Sequence, residues 1–269
     1  MIARRIIVGL CAFFATAQAW AQYTETAPPF VTTPMEVVER MLALAQTHRE
    51  DLVMDLGSGD GRIVIAAAKM YGAHAIGVEL DPDLVAVARA NAQRVGVAPL
   101  TRFVNGDVLK TDLSHANVVT AYLLPWLMDA LEQKFLAELA PGTRIVSHAF
   151  AMSGWEPDKT ETIPLSGEFE GRSATLYYWV VPAQARGEWH ALQPDGEWQL
   201  EIAQNFQQID VRGTIGEEPF RASSARLRGT QIEWESDAGQ FSGRVLGSQI
   251  AGTLSRDGAT RSVVYLRKQ

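Results

Sequence analysis

Residues 52–63 read LVMDLGSGDGRI, and this stretch decides the fold. A short apolar run ends at Asp55, glycines follow at 57, 59 and 61, and apolar residues then recur at helical spacing. The pattern predicts strand, loop, helix. Glycines let the backbone turn sharply and approach a ligand closely. A helix start adds free N–H groups and the positive end of a dipole. The unit repeats downstream. Residues 63–70 read as helix, 75–79 as strand, 82–93 as helix, 101–104 as strand, 118–123 as strand, 126–139 as amphipathic helix and 144–149 as strand. Continuous apolar strands alternating with helices predict an α/β fold with a parallel sheet covered on both faces. Residues 172–181 (RSATLYYWVV) alternate instead, and are expected to form an antiparallel edge strand.

After Pro182 the texture changes. Residues 189–269 show no helical pattern, only short alternating runs at 198–202, 209–215, 232–235, 241–245, 250–254 and 263–266, punctuated by glycines. A small antiparallel meander, sandwich or partial barrel is expected. The predicted organisation is therefore a leader over 1–21, an α/β domain over 22–185 and a β-rich accessory domain over 186–269. With 269 residues, 47% hydrophobic and 20% charged, the chain is an ordinary globular one. One cysteine excludes a disulfide framework and a Cys-rich zinc site. A net charge of −7 disfavours a nucleic-acid-coating protein. His74, His115, His148 and His190 are scattered without metal-ligand spacing.

Residues 1–21 place Arg4 and Arg5 before an apolar stretch that ends in two A-x-A patterns, Ala17-Gln18-Ala19 and Ala19-Trp20-Ala21. That is the layout of a secretory signal peptide, with an uncleaved membrane anchor as the alternative. Either predicts export of the remainder, periplasmic or membrane-anchored, since the two arginines stay on the cytoplasmic side. An inefficient leader would leave it cytoplasmic. Residues 23–34 (YTETAPPFVTTP) read as an extended lead-in. Thr33 is expected as N-cap and Pro34 as first residue of a helix carrying Glu36 in its first turn.

The glycine loop admits two ligand chemistries. A nicotinamide dinucleotide motif, G-x-G-x-x-G, would place a small residue at 62, where Arg62 stands. Its pyrophosphate would also be repelled by Asp55 and Asp60. A cationic donor without phosphate, S-adenosyl-L-methionine, suits those acids, so an NAD-dependent oxidoreductase is the disfavoured alternative. Glu79 ends the second strand, with Leu80 next to it, where nucleotide folds bind ribose hydroxyls. Asp107 and Val108 follow the third strand. Residues 22–185 carry 12 Lys and Arg against 20 Asp and Glu, so net −8 lies on the α/β region.

At this point the sequence resembles the class I S-adenosylmethionine-dependent methyltransferases over residues 37–181. The resemblance implies a Rossmann-like seven-stranded sheet whose last hairpin is antiparallel. It implies that Asp55 and Gly57 line the methionine end, that Glu79 binds the ribose, that Asp107 and Val108 lie at the adenine, and that Ser58, Gly59, Asp60, Gly61 and Leu80 are among the residues that bind the donor. Residues 29–34 (PFVTTP), 55–69 (DLGSGDGRIVIAAAK), 77–82 (GVELDP), 122–125 (YLLP) and 141–147 (PGTRIVS) narrow it further. Together they resemble the mitochondrial protein-lysine methyltransferases that act on the c-ring protein of ATP synthase and on adenine nucleotide translocase, and their bacterial relatives. Those enzymes carry an N-terminal membrane-targeting segment, so membrane proximity is implied, and a Pro-Thr-Pro element in which Thr32 here replaces a proline. The β-rich region has no counterpart in them.

The implied reaction is methyl transfer to a protein lysine, with no nucleic-acid partner. An acidic, apolar-walled pocket binds an ammonium, and desolvation lowers its pKa. Tyr122 follows the fourth strand, in Ala121-Tyr122-Leu123-Leu124-Pro125 rather than the Asn/Asp-Pro-Pro-aromatic motif of nucleic-acid-amino and glutamine methyltransferases. It reads either as a group that orients the amine or as a packed strand-end tyrosine. Thr33 and Pro34 read as a substrate lid or as a helix cap. His148 and Trp155, after the fifth strand, are expected to be structural. The remaining alternative is an exported binding protein that keeps the fold without catalysis.

Overall fold

The structure is a computed structural model describing residues 31–268; the expectations for residues 1–21 and 23–30 lie outside the described residues. Among these, no helix is long and apolar enough to cross a membrane.

The first sheet is built from β1 (Leu52–Leu56), β2 (His74–Glu79), β3 (Thr101–Asn105), β4 (Val118–Ala121), β5 (Arg144–His148), β6 (Lys159–Pro164) and β7 (Ser173–Val180). Its spatial order is β3-β2-β1-β4-β5-β7-β6, parallel through β5, with β7 antiparallel to β5 and β6. The helices are α1 (Met35–Leu44), α2 (Arg62–Ala66), α3 (Pro82–Val95) and α4 (Pro125–Glu138). One core cluster gathers Val37, Val38, Met41 and Leu42 of α1 with Ile63, Val85 and Phe103, on one face of the sheet. The other gathers Met128, Leu131 and Phe135 of α4 with Trp155 and Trp179. Burial on both faces is why β1, β4 and β5 read as unbroken apolar runs.

Three expectations are corrected. The strand expected over 172–181 is not an edge: β7 is interior, and β6 forms the edge. Its sequence, KTETIP, escaped notice because an exposed edge strand needs few apolar residues. Thr33 is not the N-cap. Pro34 holds that place with φ −56° and ψ 146°, and its carbonyl accepts from the Val37 and Val38 amides. Proline suits the cap position because its fixed φ is compatible with it and no N–H is lost there. The fourth strand ends at Ala121, so Tyr122 and Leu123 lie in the loop beyond it. The helix expected over 63–70 continues α2 into one π-helical turn, Ala67–Tyr71.

Arg144, at the start of β5, fastens the end of α1. It pairs with Asp51, which is 2% exposed, and donates to the Ala45 and Gln46 carbonyls at 2.9 and 3.0 Å. Arg144→Met strands a buried carboxylate, and is expected to cost about 3–5 kcal/mol in denaturant unfolding of the whole chain.

The second sheet is an antiparallel nine-stranded one: β8 (Gly187–Gln193), β9 (Gly196–Asn205), β10 (Gln208–Ile215), β11 (Glu218–Arg221), β12 (Ser224–Arg228), β13 (Gln231–Ser236), β14 (Gly239–Leu246), β15 (Gln249–Arg256) and β16 (Ala259–Arg267), in the order β11-β10-β9-β8-β16-β15-β14-β13-β12. Of the expected forms, the meander and the partial barrel describe it together: consecutive strands pair up to β11 and again from β12, and the last strand, β16, pairs back on the first, β8. β8, β11 and β12 had no expected counterpart because their apolar residues are few. The sheet curls. The Ala222 amide donates to Val211 of β10 while the next amide, Ser223, donates to Glu235 of β13, so the chain between β11 and β12 bridges the two ends. Trp189, Trp198, Trp234, Phe241 and Tyr265 fill the concave side.

Candidate active site

In a parallel sheet, ligands bind beyond the carboxyl ends of the strands, near the point where strand order reverses. Here that point lies between β1 and β4, and the predicted site residues gather at those ends.

Asp55 in β1 is 3% exposed, and its Oδ1 accepts from the Thr120 hydroxyl of β4 at 2.7 Å. Burial pushes its carboxyl up to about 7; the Thr120 bond works against that shift, and the charges of Glu79 and Asp60 add to it. The loop that follows turns through left-handed backbone at Gly57, Gly59 and Gly61. A Cβ at Gly61 would lie 2.7 Å from the Phe103 ring and 2.9 Å from Ala88, so the loop packs too closely on β3 and α3 for any side chain there. The Ser58 hydroxyl is buried, without a hydrogen-bond partner, against Gly77 of β2.

Glu79 joins the loops after β1 and β2. Its Oε2 accepts from the Gly59 amide at 2.9 Å and its Oε1 from the Asp81 amide at 3.0 Å. Asn105 donates to the Glu79 and Leu80 carbonyls at 3.1 and 2.7 Å, and the Leu80 side chain is exposed beside them. Asp107 accepts from the Leu109 amide at 2.9 Å and lies 3.4 Å from Lys110 Nζ; Val108 is buried.

Asp60 does not face the loop's interior alone. Its carboxylate holds the Arg62 guanidinium, at 3.0 Å to Nε and 2.7 Å to Nη2, and Arg62 Nη1 donates to the Thr33 carbonyl at 2.8 Å. The strap before α1 is thereby fixed to the glycine loop. Thr33 is buried, and its hydroxyl is 3.5 Å from His148 Nδ1. The His148 ring lies 4.2 Å from the Tyr122 ring, which is 6.3 Å from Phe150. Strap, β4 loop and β5 end thus meet in one aromatic wall. Burial lowers His148 to about 4, so its imidazole is neutral at physiological pH. Behind it the Phe150 amide closes on the His148 carbonyl at 2.9 Å across Ala149, whose φ is +68°. A tight three-residue turn with a non-glycine at positive φ is strained backbone, of the kind concentrated at functional sites.

Sequence reasoning missed Thr120, which looked like one more core residue of β4. It expected His148 to be structural; the fold sets that ring against Thr33, 115 residues away, and against Tyr122 on another loop.

This set of residues fits a cationic, phosphate-free donor. Buried Asp55 offers an anion, the glycine loop supplies close backbone, and Glu79 keeps lone pairs for hydroxyl donors. A pyrophosphate on this loop would meet the buried Asp55 carboxylate, which repels it.

Comparison with known proteins agrees. The family model of the ANTKMT methyltransferase domain matches residues 55–159. A protein-lysine N-methyltransferase of Saccharolobus islandicus (strain REY15A) is 40% identical over 154 residues, covering 57% of this chain and 93% of that protein. The ATP synthase C-subunit lysine N-methyltransferase of Mus musculus is 35% identical over 207 residues, covering 77% of this chain and 74% of that protein. A crystal structure of an RNA methyltransferase from Salinibacter ruber with S-adenosyl-L-homocysteine is 48% identical, covers 57% of this chain and 95% of its own, and superposes with a TM-score of 0.53. With relatives matched at 35–40% identity over 74–93% of their length, the chain belongs to the S-adenosyl-L-methionine-dependent methyltransferases, in the family of the lysine N-methyltransferases of adenine nucleotide translocase and of the ATP synthase C-subunit.

Proposed function

We propose that this chain N-methylates a lysine of a protein. The match across 93% of a protein-lysine N-methyltransferase carries the reading. The donor supplies a methyl group on a sulfonium, for in-line displacement by the amine. The chain's own part is to position and to manage charge. Asp55 and Glu79 are the groups we assign to the donor's ammonium and ribose, with Gly57, Gly59 and Gly61 as its backbone cradle and Asp107 and Val108 at the base. Tyr122 and neutral His148 form the wall against which the target amine is held, and Thr33 closes it. A neutral imidazole and a phenol bring no cation to repel the incoming ammonium.

The Salinibacter relative makes RNA the second reading. The net −8 of residues 22–185 opposes it, because affinity for nucleic acid rests on cations facing phosphates. Tritiated methyl transfer to the protein and RNA fractions of a cell extract decides. The expected result is label in protein, recovered as methyl-lysine after acid hydrolysis. Label in RNA alone would refute the lysine reading. We also read residues 1–21 as an export leader that brings the enzyme to the cell envelope. Fractionation and sequencing of the mature N-terminus test this, and a cytoplasmic protein with Met1 intact would refute it.

A further inference from the structure

We propose that the tip of the β9–β10 hairpin, Phe206 and Gln207, is a positioning element for the acceptor side of the catalytic domain: it clamps the loop between β5 and β6. This gives the second sheet a part in the reaction. It rests on the reading that the acceptor binds beyond β5.

The first observation is an exception in turn chemistry. The other hairpin connections of the second sheet each contain, or lead directly into, a positive-φ glycine: Gly196, Gly216, Gly229, Gly239, Gly247 and Gly258. The β9–β10 turn has none. Phe206 sits there at φ +52°. A bulky residue in left-handed backbone is disfavoured, and persists only when its surroundings hold it. The side chain, not the turn, is what this position selects.

The second observation is what the side chains touch. The Phe206 ring stacks on Trp155, 5.5 Å between centroids and 7° between planes. Gln207 Oε1 accepts from Trp155 Nε1 at 2.7 Å, and Gln207 Nε2 donates to the Glu156 carbonyl at 2.7 Å. Gln208 Nε2 donates to the Glu156 carboxylate at 2.8 Å. Trp155 is fully buried, and its carbonyl accepts from Trp179 Nε1 of β7 at 2.9 Å. The hairpin tip thereby completes the burial of Trp155 in the loop that follows β5 and opens with the strained turn at Ala149.

The third observation is that the tip is itself held. Gln204 Nε2 donates to the Phe206 carbonyl at 2.7 Å and to the Ala183 carbonyl at 2.9 Å, while its Oε1 accepts from the Ala185 and Arg186 amides. Arg267 donates to the Gln184 and Arg186 carbonyls. The connection between the two sheets is pinned to the same strand that carries the clamp, so the second sheet cannot swing away without breaking it.

The test uses the full chain with Phe206→Asn, Gln207→Ala and Phe206→Tyr. Asparagine tolerates left-handed backbone, so Phe206→Asn removes the ring without straining the turn. For Phe206→Asn and Gln207→Ala, hydrogen exchange is expected to rise about tenfold at residues 149–158 and to stay unchanged at residues 57–61. Affinity for S-adenosyl-L-homocysteine, the probe for the donor site, is expected to stay within about twofold. Against the methyl acceptor found in the extract assay, KM should rise about tenfold with kcat little changed. Phe206→Tyr keeps the stack and should restore both exchange and KM. Unchanged exchange at 149–158, or loosening shared equally with residues 57–61 together with lost donor-site affinity, would overturn the clamp. A wild-type chain that binds the probe but labels no protein refutes the proposed reaction instead, and the exchange result still decides the clamp.

Discussion

Asp55→Asn is expected to weaken S-adenosyl-L-methionine binding about 100-fold while leaving the protein as stable as before, or more so. The two effects have one cause. Asp55 is a buried carboxylate whose only hydrogen-bond partner among the described side chains is the Thr120 hydroxyl, and Glu79 and Asp60 repel its charge. In the free protein its ionised form opposes folding. Its pKa is raised on folding from 3.8 to about 7. The stability it contributes is therefore fully present below about 4 and is lost as pH rises to about 7. Asparagine stays neutral throughout, still accepts from Thr120, and removes that penalty. A bound cation reverses the balance, because the buried anion then has a partner. Losing one member of a buried charge pair costs about 2–5 kcal/mol, roughly 30- to 4000-fold in affinity, and the hundredfold expected here lies in the lower half of that range. Thermal unfolding near pH 8 and calorimetry with the donor check both halves. A lower Tm with unchanged affinity would mean that Asp55 is a structural acid.

Glu79→Ala is the second large effect. The Glu79 carboxylate ties the Gly59 amide to the Asp81 amide, so one side chain sets the spacing of two ligand loops. Alanine leaves both amides without that acceptor and removes the group assigned to the ribose. The expected loss in affinity for S-adenosyl-L-homocysteine is about 2–4 kcal/mol, some 30- to 1000-fold. Glu79→Gln keeps one acceptor oxygen and should lose about tenfold. Equal affinity in Glu79→Ala and wild type would remove Glu79 from the site.

Much of this could be read from the sequence, because the strands that build the site are apolar on both faces and end in glycine or acid. β1 with its loop and β2 with Glu79 announce themselves in that way; β3, an edge strand with Arg102 and Asn105 exposed, is marked instead by the Gly106-Asp107 that follows it. What escaped has a physical reason in each case. β6 hides because an exposed edge strand can be polar. Thr120 hides because a hydroxyl inside an apolar strand shows its purpose only when its partner across the sheet is known. The wall of Thr33, Tyr122 and His148 joins three distant segments, which no local pattern can bring together. Asp60 was read as part of the donor's electrostatics; in the fold most of its hydrogen bonding is spent on Arg62 and, through it, on the strap. The hairpin at Phe206 was illegible because reading turns from glycine passes over the one hairpin of the second sheet that lacks it.

Calorimetric titration of the full chain with S-adenosyl-L-methionine across pH tests the donor site most directly. Binding is expected on the order of micromolar, with affinity falling about tenfold per pH unit below about 7 and levelling off above it, as the cation selects ionised Asp55. Proton release should accompany binding near pH 7 and disappear in Asp55→Asn. Absence of binding by the folded protein, or binding of a nicotinamide dinucleotide in its place, would contradict the assignment.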